Sequence, residues 1–396
     1  MEYNGAAADR FRSNYLQSNH FQSMGNDPDP LRADVLNPAL NPLPAHTAGG
    51  GSLRVRLAQS GDLAAWQEFV DAASEAGALH HAGWYDVLVD AYWVRPYFLM
   101  AIDNRDTLQG VLPLYYSRSP ISGTHLSSLE GGVLAAGSQA TAALLAEAKA
   151  LRDRLGVGYL QLRGGPVDQP AKITVPKIHT YIDTTKPVEE LWAAVKKKSR
   201  WGIRQAEKED LHVALDADLG GLESFYRVYA LHMRDLGTPV IGFDAFHAIR
   251  RRLGTQRLRL YLIRHGMRLI GGMLCILNGS RWTDYYAVVR STKEIEYANY
   301  LLYWHVIRDA ARCGATCFDF GRSTPDSNVH LFKRKWGGCD VEFPYQFYAS
   351  ASTVARHRGL PGIPEGNGLA QRVWSHLPLI LCNKLGPLLR KQLPFI

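Results

Sequence analysis

Two similar stretches decide the fold: RDRLGVGYLQLRGG at Arg152–Gly165 and RDAARCGATCFDFGRS at Arg308–Ser323. Each closes a helix-like segment at a glycine, Gly156 or Gly314, and runs on into a short apolar strand. Glycine is the common stop just after a helix because it adopts a positive φ without steric strain. The unit of helix, glycine and strand occurs twice, so the sequence predicts two duplicated α/β halves.

Each copied unit follows a predicted β-hairpin. The predicted hairpin strands, helix and final strand are 96–102, 108–116, 140–155 and 159–162 in the first half and 257–263, 269–277, 300–312 and 317–320 in the second. We therefore predict an α/β (α+β) fold with two mixed, mostly antiparallel sheets flanked by helices. Two unrelated α/β domains that share helix-stop glycines remain the alternative.

Four segments follow from the patterning. Residues 1–52 lack periodicity, are rich in proline and asparagine, and end in glycines, so we predict a disordered leader. The two halves are 53–183 and 184–348, and we expect the active cleft in the second. Residues 349–396 form a basic tail.

The tail alternates large apolar residues with bases and is interrupted by Pro378, Pro387 and Pro394. This pattern predicts broken amphipathic helices with a basic rim. Such helices can lie on an anionic membrane surface. They can also pack back on the body of the protein, and the sequence leaves both alternatives open.

The composition, 46% hydrophobic and 21% charged, is globular. No apolar run approaches the ~20 residues of a membrane-spanning helix, and the N-terminus does not resemble a secretory signal. We therefore expect a cytoplasmic protein, peripheral at the inner membrane face if the tail binds lipid. The five cysteines are odd in number and show no paired spacing, so neither a disulfide framework nor a metal site is expected.

The net charge of +8 is unevenly distributed. Counting Lys and Arg against Asp and Glu gives −2 for residues 1–52, +5 for the last 48 residues, and +5 for the body between them. An anionic ligand suits this balance, whereas a broad DNA-binding face is not expected.

Four motifs follow one another in the second half: KKKSRWGIRQAEK at Lys196–Lys208, MRDLGTPV at Met233–Val240, FDFGRST at Phe318–Thr324 and FKRKWGG at Phe332–Gly338. In this order they resemble FemAB-like proteins of the GNAT acyltransferase superfamily, in particular the group with a BioF2-like acetyltransferase domain that is associated with exosortase (PEP-CTERM) and exopolysaccharide loci. The resemblance covers about residues 53–348 and extends into the tail.

The resemblance implies a tandem-GNAT fold and transfer of an acyl or aminoacyl group to an amine of a cell-envelope or exopolysaccharide precursor. The implied donor is acyl-CoA or aminoacyl-tRNA, with no tightly bound cofactor. The usual CoA pyrophosphate loop, Q/RxxGxG/A, is not found, so the donor site is either non-standard for CoA or shaped for another carrier. Alternatives are an acyl-CoA-dependent amino-sugar N-acetyltransferase and a non-catalytic assembly factor of the polysaccharide machinery.

Acyl transfer needs positive charge where the oxyanion develops. Lys333 is the first candidate, because Phe332-Lys333 matches a Phe-Lys pair that FemAB proteins place at the head of their penultimate element; a solvated basic helix end is the alternative. Asp319, Arg322 and Ser323 follow a strand end, where they could take the proton of the amine, hold an anionic group and donate a hydrogen bond. An Asp319–Arg322 ion pair that only closes the loop is the alternative.

Two further groups are candidates. Tyr285 and Tyr286 lie on a predicted strand, so one should face the core, and Tyr286 is preferred as the cleft residue. The spacing of Lys196, Arg200, Arg204 and Lys208 places them on one face of a helix, where the stripe suits a pyrophosphate or polyanionic carrier. A solvated helix face explains the same spacing.

Overall fold

A computed structural model of the chain describes residues 46–47, 53–119, 123–165, 173–349 and 368–392. The strands of these ranges are β1 His46–Thr47, β2 Arg54–Leu57, β3 Arg95–Ile102, β4 Leu108–Ser119, β5 Gly123–Ser128, β6 Leu134–Ala135, β7 Tyr159–Arg163, β8 Ile173–Val175, β9 Ile178–Asp183, β10 Leu211–Asp216, β11 Leu258–His265, β12 Arg268–Asn278, β13 Arg281–Val289, β14 Cys317–Ser323, β15 Cys339–Glu342 and β16 Tyr345–Ala349.

The helices are α1 Leu63–Ala72, α2 Trp84–Val87, α3 Ser138–Arg154, α4 Val188–Ala194, α5 Lys197–Ala206, α6 Leu222–Asp235, α7 Phe243–Leu253, α8 Ala298–Arg312, α9 Asn328–Lys333, α10 Gly368–His376 and α11 Leu379–Gln392. A wider helical turn at Leu88–Tyr92 extends α2, and single 3-10 turns lie at Ser60–Asp62, Ala78–His80, Thr255–Arg257 and Arg334–Trp336. Gly156 and Gly314 follow α3 and α8 with φ of +61° and +78°, as the helix-stop argument requires.

The predicted mixed α/β fold is confirmed: the strands form two mixed sheets flanked by helices. One sheet has the order β1-β2-β3-β4-β5-β7-β16-β8, with β6 beside β4; the other has the order β10-β11-β12-β13-β14-β9-β15. In each sheet an antiparallel meander is followed by a helix and by one strand that returns parallel to the last meander strand, β7 beside β5 or β14 beside β13. The two sheets therefore repeat one topology.

The two sheets exchange a strand. β9 precedes the predicted boundary at 183/184 but pairs antiparallel with β14 in the second sheet. β16 ends the predicted second half but pairs antiparallel with β7 in the first sheet. Each copy of the topology is thus completed by chain from the other half, while the domain boundaries themselves stay a prediction.

One hydrophobic core joins the two halves. Trp66 and Phe98 of the first half stack with ring centroids 4.8 Å apart, and they belong to the same buried cluster as Phe225 and Phe246 of the second half. Second and third clusters lie under α8 and under α3, on the outer side of each sheet. The shared core fixes the halves against each other through apolar burial, the dominant favourable term in folding.

The predicted leader lies almost wholly outside the described residues. Its described part, β1, pairs antiparallel with Arg54 and Val55. The disorder of the leader stays a prediction.

The tail packs on the body, and its helices contact α6 and β4. The approach is close enough that a Cβ at Gly237 would lie 2.5 Å from the carbonyl oxygen of Gln371. Pro378 separates α10 from α11 as predicted, whereas Pro387 lies inside α11 and does not interrupt it. Pro394 is outside the described residues. Among the described helices, none has the length and apolar composition needed to cross a membrane.

Candidate active site

The two parallel strands of the second sheet separate after a short contact. β13 and β14 pair only from Arg281 with Cys317 to Thr283 with Asp319, and β14 then bulges before Arg322. Gly321 allows the bulge because its φ is +67°, a conformation that other residues rarely adopt. Beyond Thr283 and Asp319, β13 and β14 no longer pair with each other. We call the gap between them the opening.

Lys333 lies at the end of α9 and is buried beneath the bulge. Its Nζ donates hydrogen bonds of 2.9 Å to the carbonyl oxygens of both Gly321 and Arg322. Burial lowers the pKa of Lys333, and the nearby Asp284 and Asp319 carboxylates oppose that effect. The alternative of a solvated helix end is therefore wrong, because the ammonium is buried and holds the bulge.

Asp284, on β13, is a site residue that the sequence reasoning missed. Its carboxylate accepts a 2.6 Å hydrogen bond from Tyr303 Oη on α8. Burial raises the pKa of Asp284 to about 6, although the Tyr303 hydrogen bond and the Lys333 charge act in the opposite direction. A carboxylate with this pKa is ionised near neutral pH yet basic enough to accept a proton. An acidic residue inside the apolar strand Trp282–Val288 was the signal that could have identified it.

Asp319 is positioned by two donors. His179 Nδ1 on β9 lies 3.1 Å from its carboxylate, and the Gly321 backbone N–H donates at 2.7 Å. Burial would raise the pKa of Asp319, but the charge and hydrogen bond of His179 and the Gly321 N–H hold it below its ordinary value. A low pKa makes Asp319 a poorer proton acceptor than Asp284. His179 Nε2 is buried and has no hydrogen-bond partner among the described residues.

Arg322 pairs with an acid of the first half. Its guanidinium forms an ion pair with Glu130, after β5, and lies over the Tyr345 ring at 5.7 Å from the centroid. Tyr345 Oη donates a 3.0 Å hydrogen bond to the same Glu130 carboxylate. The alternative of an Asp319–Arg322 ion pair is therefore wrong, because Glu130 supplies the counter-charge of Arg322. Lys177 lies beside this group and donates to Thr324 Oγ1 at 2.8 Å.

The two tyrosines do not face opposite sides of the strand. β12 pairs Leu274 with Tyr286 and Cys275 with Asp284, so Tyr285 is an extra, bulged residue. Both rings therefore pack against the core shared by the two halves, 4.3 Å apart between centroids. Tyr286 stacks on Phe246, and burial raises its pKa well above the ordinary value, so it is poorly suited to a proton relay.

Two other candidates lie near Lys333. The Ser323 side chain is buried, and its Oγ has no hydrogen-bond partner within the described part of the chain. Phe332 packs edge-on against the rings of Tyr300 and Tyr303, 5.5 and 5.2 Å away. Its packing supports α9 and thereby the position of Lys333. Substrate contact by either residue stays a prediction.

The basic stripe is shorter than the spacing predicts. α5 spans Lys197–Ala206 and passes through the buried Gly202, so Lys196 precedes the helix and Lys208 follows it. Arg200 donates to the carbonyls of Ala193 and Trp192, at 2.6 and 3.2 Å. It thus caps the end of α4, while Arg204 is exposed and lies over the Trp192 ring. Carrier binding by the stripe stays a prediction.

Part of the chain matches a known domain family in sequence. Residues 193–334 match the family model described as an acetyltransferase (GNAT) domain. That range contains Asp284, Asp319, Arg322 and Lys333. No curated protein matches the chain in sequence.

Solved structures with the same fold are distant in sequence. FemX is similar at 15% identity and a TM-score of 0.58, over 74% of this chain and 97% of that chain. The C-terminal domain of a putative lysylphosphatidylglycerol synthetase from Agrobacterium fabrum is similar at 8% identity and a TM-score of 0.53, over 76% and 95%. A conserved protein of unknown function from Bacteroides thetaiotaomicron is similar at 9% identity and a TM-score of 0.51, over 75% and 99%. At these identities the similarity establishes the fold.

The chain is an acyltransferase that carries a GNAT domain in its second half. The sequence predictions of an enzyme and of this fold are therefore confirmed.

Proposed function

We propose that this protein transfers an acyl or aminoacyl group to an amine of a cell-envelope or exopolysaccharide precursor. The observation that carries the proposal is that Asp284 and Lys333, near the point where β13 and β14 separate, lie close enough to interact electrostatically. Asp284 is a proton acceptor with a pKa of about 6, and the charge of the buried Lys333 ammonium lowers that pKa. N-acyl transfer uses this combination, because the amine must lose a proton while a carbonyl oxygen gains negative charge.

In the proposed reaction the acceptor nitrogen attacks the carbonyl carbon of the donor and forms the new C–N bond. Asp284 takes the proton that the nitrogen loses. Two N–H groups of Lys333 are bonded to backbone carbonyls, so its remaining N–H donates to the oxyanion. The tetrahedral intermediate collapses by breaking the bond to the leaving group. CoA leaves as a thiolate, whereas the ribose oxygen of the tRNA takes the proton from Asp284 and leaves as a hydroxyl. The proposal needs no covalent enzyme intermediate.

The charges around the opening support an anionic donor. Lys177 and Arg322 both lie beside Glu130, so two cations face one carboxylate at this edge of the site. Phosphate groups of CoA or of tRNA suit such an edge, and Arg322 offers the planar fork that binds phosphate well. The lysylphosphatidylglycerol synthetase is named for an aminoacyl product, whereas the matched family is named for acetyl transfer. The test therefore includes both aminoacyl-tRNA and acyl-CoA as donors.

The proposed acceptor, an amine on an envelope or exopolysaccharide precursor, rests on the FemAB-like motifs and on the FemX-like fold. The association with exosortase loci rests on the motifs alone. The proposed site of action is the cytoplasmic side of the cell envelope.

The test is a mass-spectrometric transfer assay. Purified protein is incubated with lipid-linked precursor extract and with either acyl-CoA or charged tRNA. We expect the mass of one acyl or aminoacyl group on an amine with one donor class, and no such product from the Asp284→Asn variant. Transfer by that variant at the wild-type rate, or no transfer from either donor, would contradict the proposal. Acetylation of a free amino sugar from acetyl-CoA alone would favour the amino-sugar acetyltransferase instead.

A further inference from the structure

The outward side of the tail has an unusual composition. Helix α11 turns Cys382, Gly386 and Pro387 toward the body, and Cys382 is fully buried. Its opposite side is exposed at six positions, and five of them are large apolar residues: Ile380, Leu381, Leu385, Leu388 and Leu389, with Lys384 as the sixth. A surface helix normally turns polar residues outward, so this pattern is inverted.

Helix α10 also exposes large apolar residues. Leu369 and Val373 are 70% and 55% exposed there, and Ile380 on α11 is 71% exposed. We call these two residues and the five of α11 the tail face. Exposed apolar residues that stand singly need no explanation, whereas five on one side of a helix indicate a binding surface.

The charge of the tail selects the partner. Residues 368–392 contain Arg372, Lys384, Arg390 and Lys391 and no aspartate or glutamate. A basic, acid-free segment with a continuous apolar face is the composition of helices that lie in the interface of an anionic bilayer. A second copy of this chain would bring the same positive charge to the contact, so charge complementarity disfavours a symmetric dimer there.

We propose that the tail face docks the protein on an anionic membrane surface, with the apolar side chains in the headgroup region and the exposed Arg372 and Lys384 against the lipid phosphates. The tail can then pack on the body and bind lipid at the same time, because the two contacts use opposite sides of α11. Arg390 lies four residues after Gly386, on the body side of α11, where it is near enough to Tyr92 and Tyr229 to act on both electrostatically.

The test is co-sedimentation of the full chain with vesicles of phosphatidylcholine, with or without phosphatidylglycerol. We expect sedimentation with the anionic vesicles and a strong decrease at high salt. The double variant Leu385→Glu, Leu388→Glu should bind at least tenfold more weakly, since two apolar contacts are lost and two repelling charges are added. Lys384→Glu should weaken binding by about fivefold or more.

Met267→Glu is the matched control, because Met267 is an equally apolar residue, 95% exposed, in the turn between β11 and β12. It should bind vesicles like the wild type. Thermal unfolding of all variants checks that the exposed substitutions leave the fold unchanged.

Three results would overturn the proposal. They are no sedimentation of the wild type, equal sedimentation of the wild type and the double variant, and binding that ignores phosphatidylglycerol. A wild-type dimer that the double variant converts to a monomer, seen by analytical ultracentrifugation without vesicles, would assign the tail face to a second copy and would also overturn it. None of these measurements depends on acyl transfer, so the proposed reaction can fail independently.

Discussion

Replacing Asp284 with asparagine tests the proposed reaction at one atom. The substitution keeps the size of the side chain and an oxygen that can accept the Tyr303 hydrogen bond, but it removes the proton acceptor. A positioned general base contributes roughly 10²–10⁴-fold to a rate, so we expect kcat/KM to fall by about that factor. KM should change little, because the substitution leaves the cations around Glu130 in place.

The pH dependence of the wild type gives the sharper readout. With a pKa of about 6, roughly nine-tenths of Asp284 is ionised at about pH 7 and roughly a tenth at about pH 5. The wild-type kcat/KM should therefore rise with pH through about 6 and then level off until another group titrates. The asparagine variant should lack this limb and retain only its low, flat rate.

Tyr303→Phe is the informative companion variant. The Tyr303 hydrogen bond stabilises the ionised form of Asp284. Without this hydrogen bond, the rise of kcat/KM with pH should still occur but should move above pH 6. A positioning role for Tyr303 thus predicts a shifted profile and near-normal activity at high pH, whereas damage to the fold would lower activity at every pH.

Stability separates catalysis from unfolding. The pKa of Asp284 is higher in the folded chain than the ordinary 3.8, so the folded state holds this proton more tightly. Its contribution to stability is present below about pH 4 and is lost as the pH rises through about 6, on the order of 2 kcal/mol after allowing for partial exposure. Urea unfolding should therefore find the asparagine variant at least as stable as the wild type at neutral pH. An asparagine variant with wild-type kcat/KM, or with the limb near pH 6 intact, would refute the assignment of Asp284 as the base.

Three further substitutions test the surrounding residues. Lys333→Met should lower kcat by about 10²–10³-fold, the scale of one lost oxyanion donor, and should lower the melting temperature because the carbonyls of Gly321 and Arg322 lose their donor; unchanged kcat would remove Lys333 from the mechanism. Arg322→Gln should raise KM for the anionic donor about tenfold with little change in kcat, and unchanged KM at low ionic strength would leave Arg322 as the structural partner of Glu130. Reversing both Arg200 and Arg204 to glutamate should raise KM and make it less salt-sensitive if the stripe holds the carrier; a lower melting temperature with an unchanged KM would reduce Arg200 to the cap of α4.

The parts of the fold that the sequence predicts well are local. The two helix, glycine and strand units are found within a few residues of the predicted bounds, because amphipathic spacing and a C-terminal glycine act over one or two turns. Asp319, Arg322 and Lys333 meet at one bulge for the same reason, since they follow one another on β14 and α9. Their functional roles stay predictions.

The error at Tyr285 and Tyr286 has a definite cause. Strict alternation puts neighbouring residues of a strand on opposite faces, but the bulge opposite Leu274 and Cys275 inserts one extra residue. Tyr285 and Tyr286 therefore share one face, and Asp284 is left on the other face, toward Tyr303. A one-residue slip in a strand pairing leaves no clear mark in a single sequence, so the expectation that the two tyrosines face opposite sides was wrong, while a role for Tyr286 in the site stays a prediction.

The largest part of the site that local patterns could not predict comes from the exchanged strand. His179 orders Asp319 and Lys177 lies beside Arg322, yet both belong to chain that precedes the predicted second half. Glu130, the counter-charge of Arg322, comes from the loop after β5 in the first sheet. The GNAT match at residues 193–334 therefore contains the proposed reacting groups but not Glu130, Lys177 and His179, which act on Asp319 and Arg322. The exchanged strands explain this arrangement. Because each sheet contains a strand from the other predicted half, a site in one sheet is built from residues of both halves.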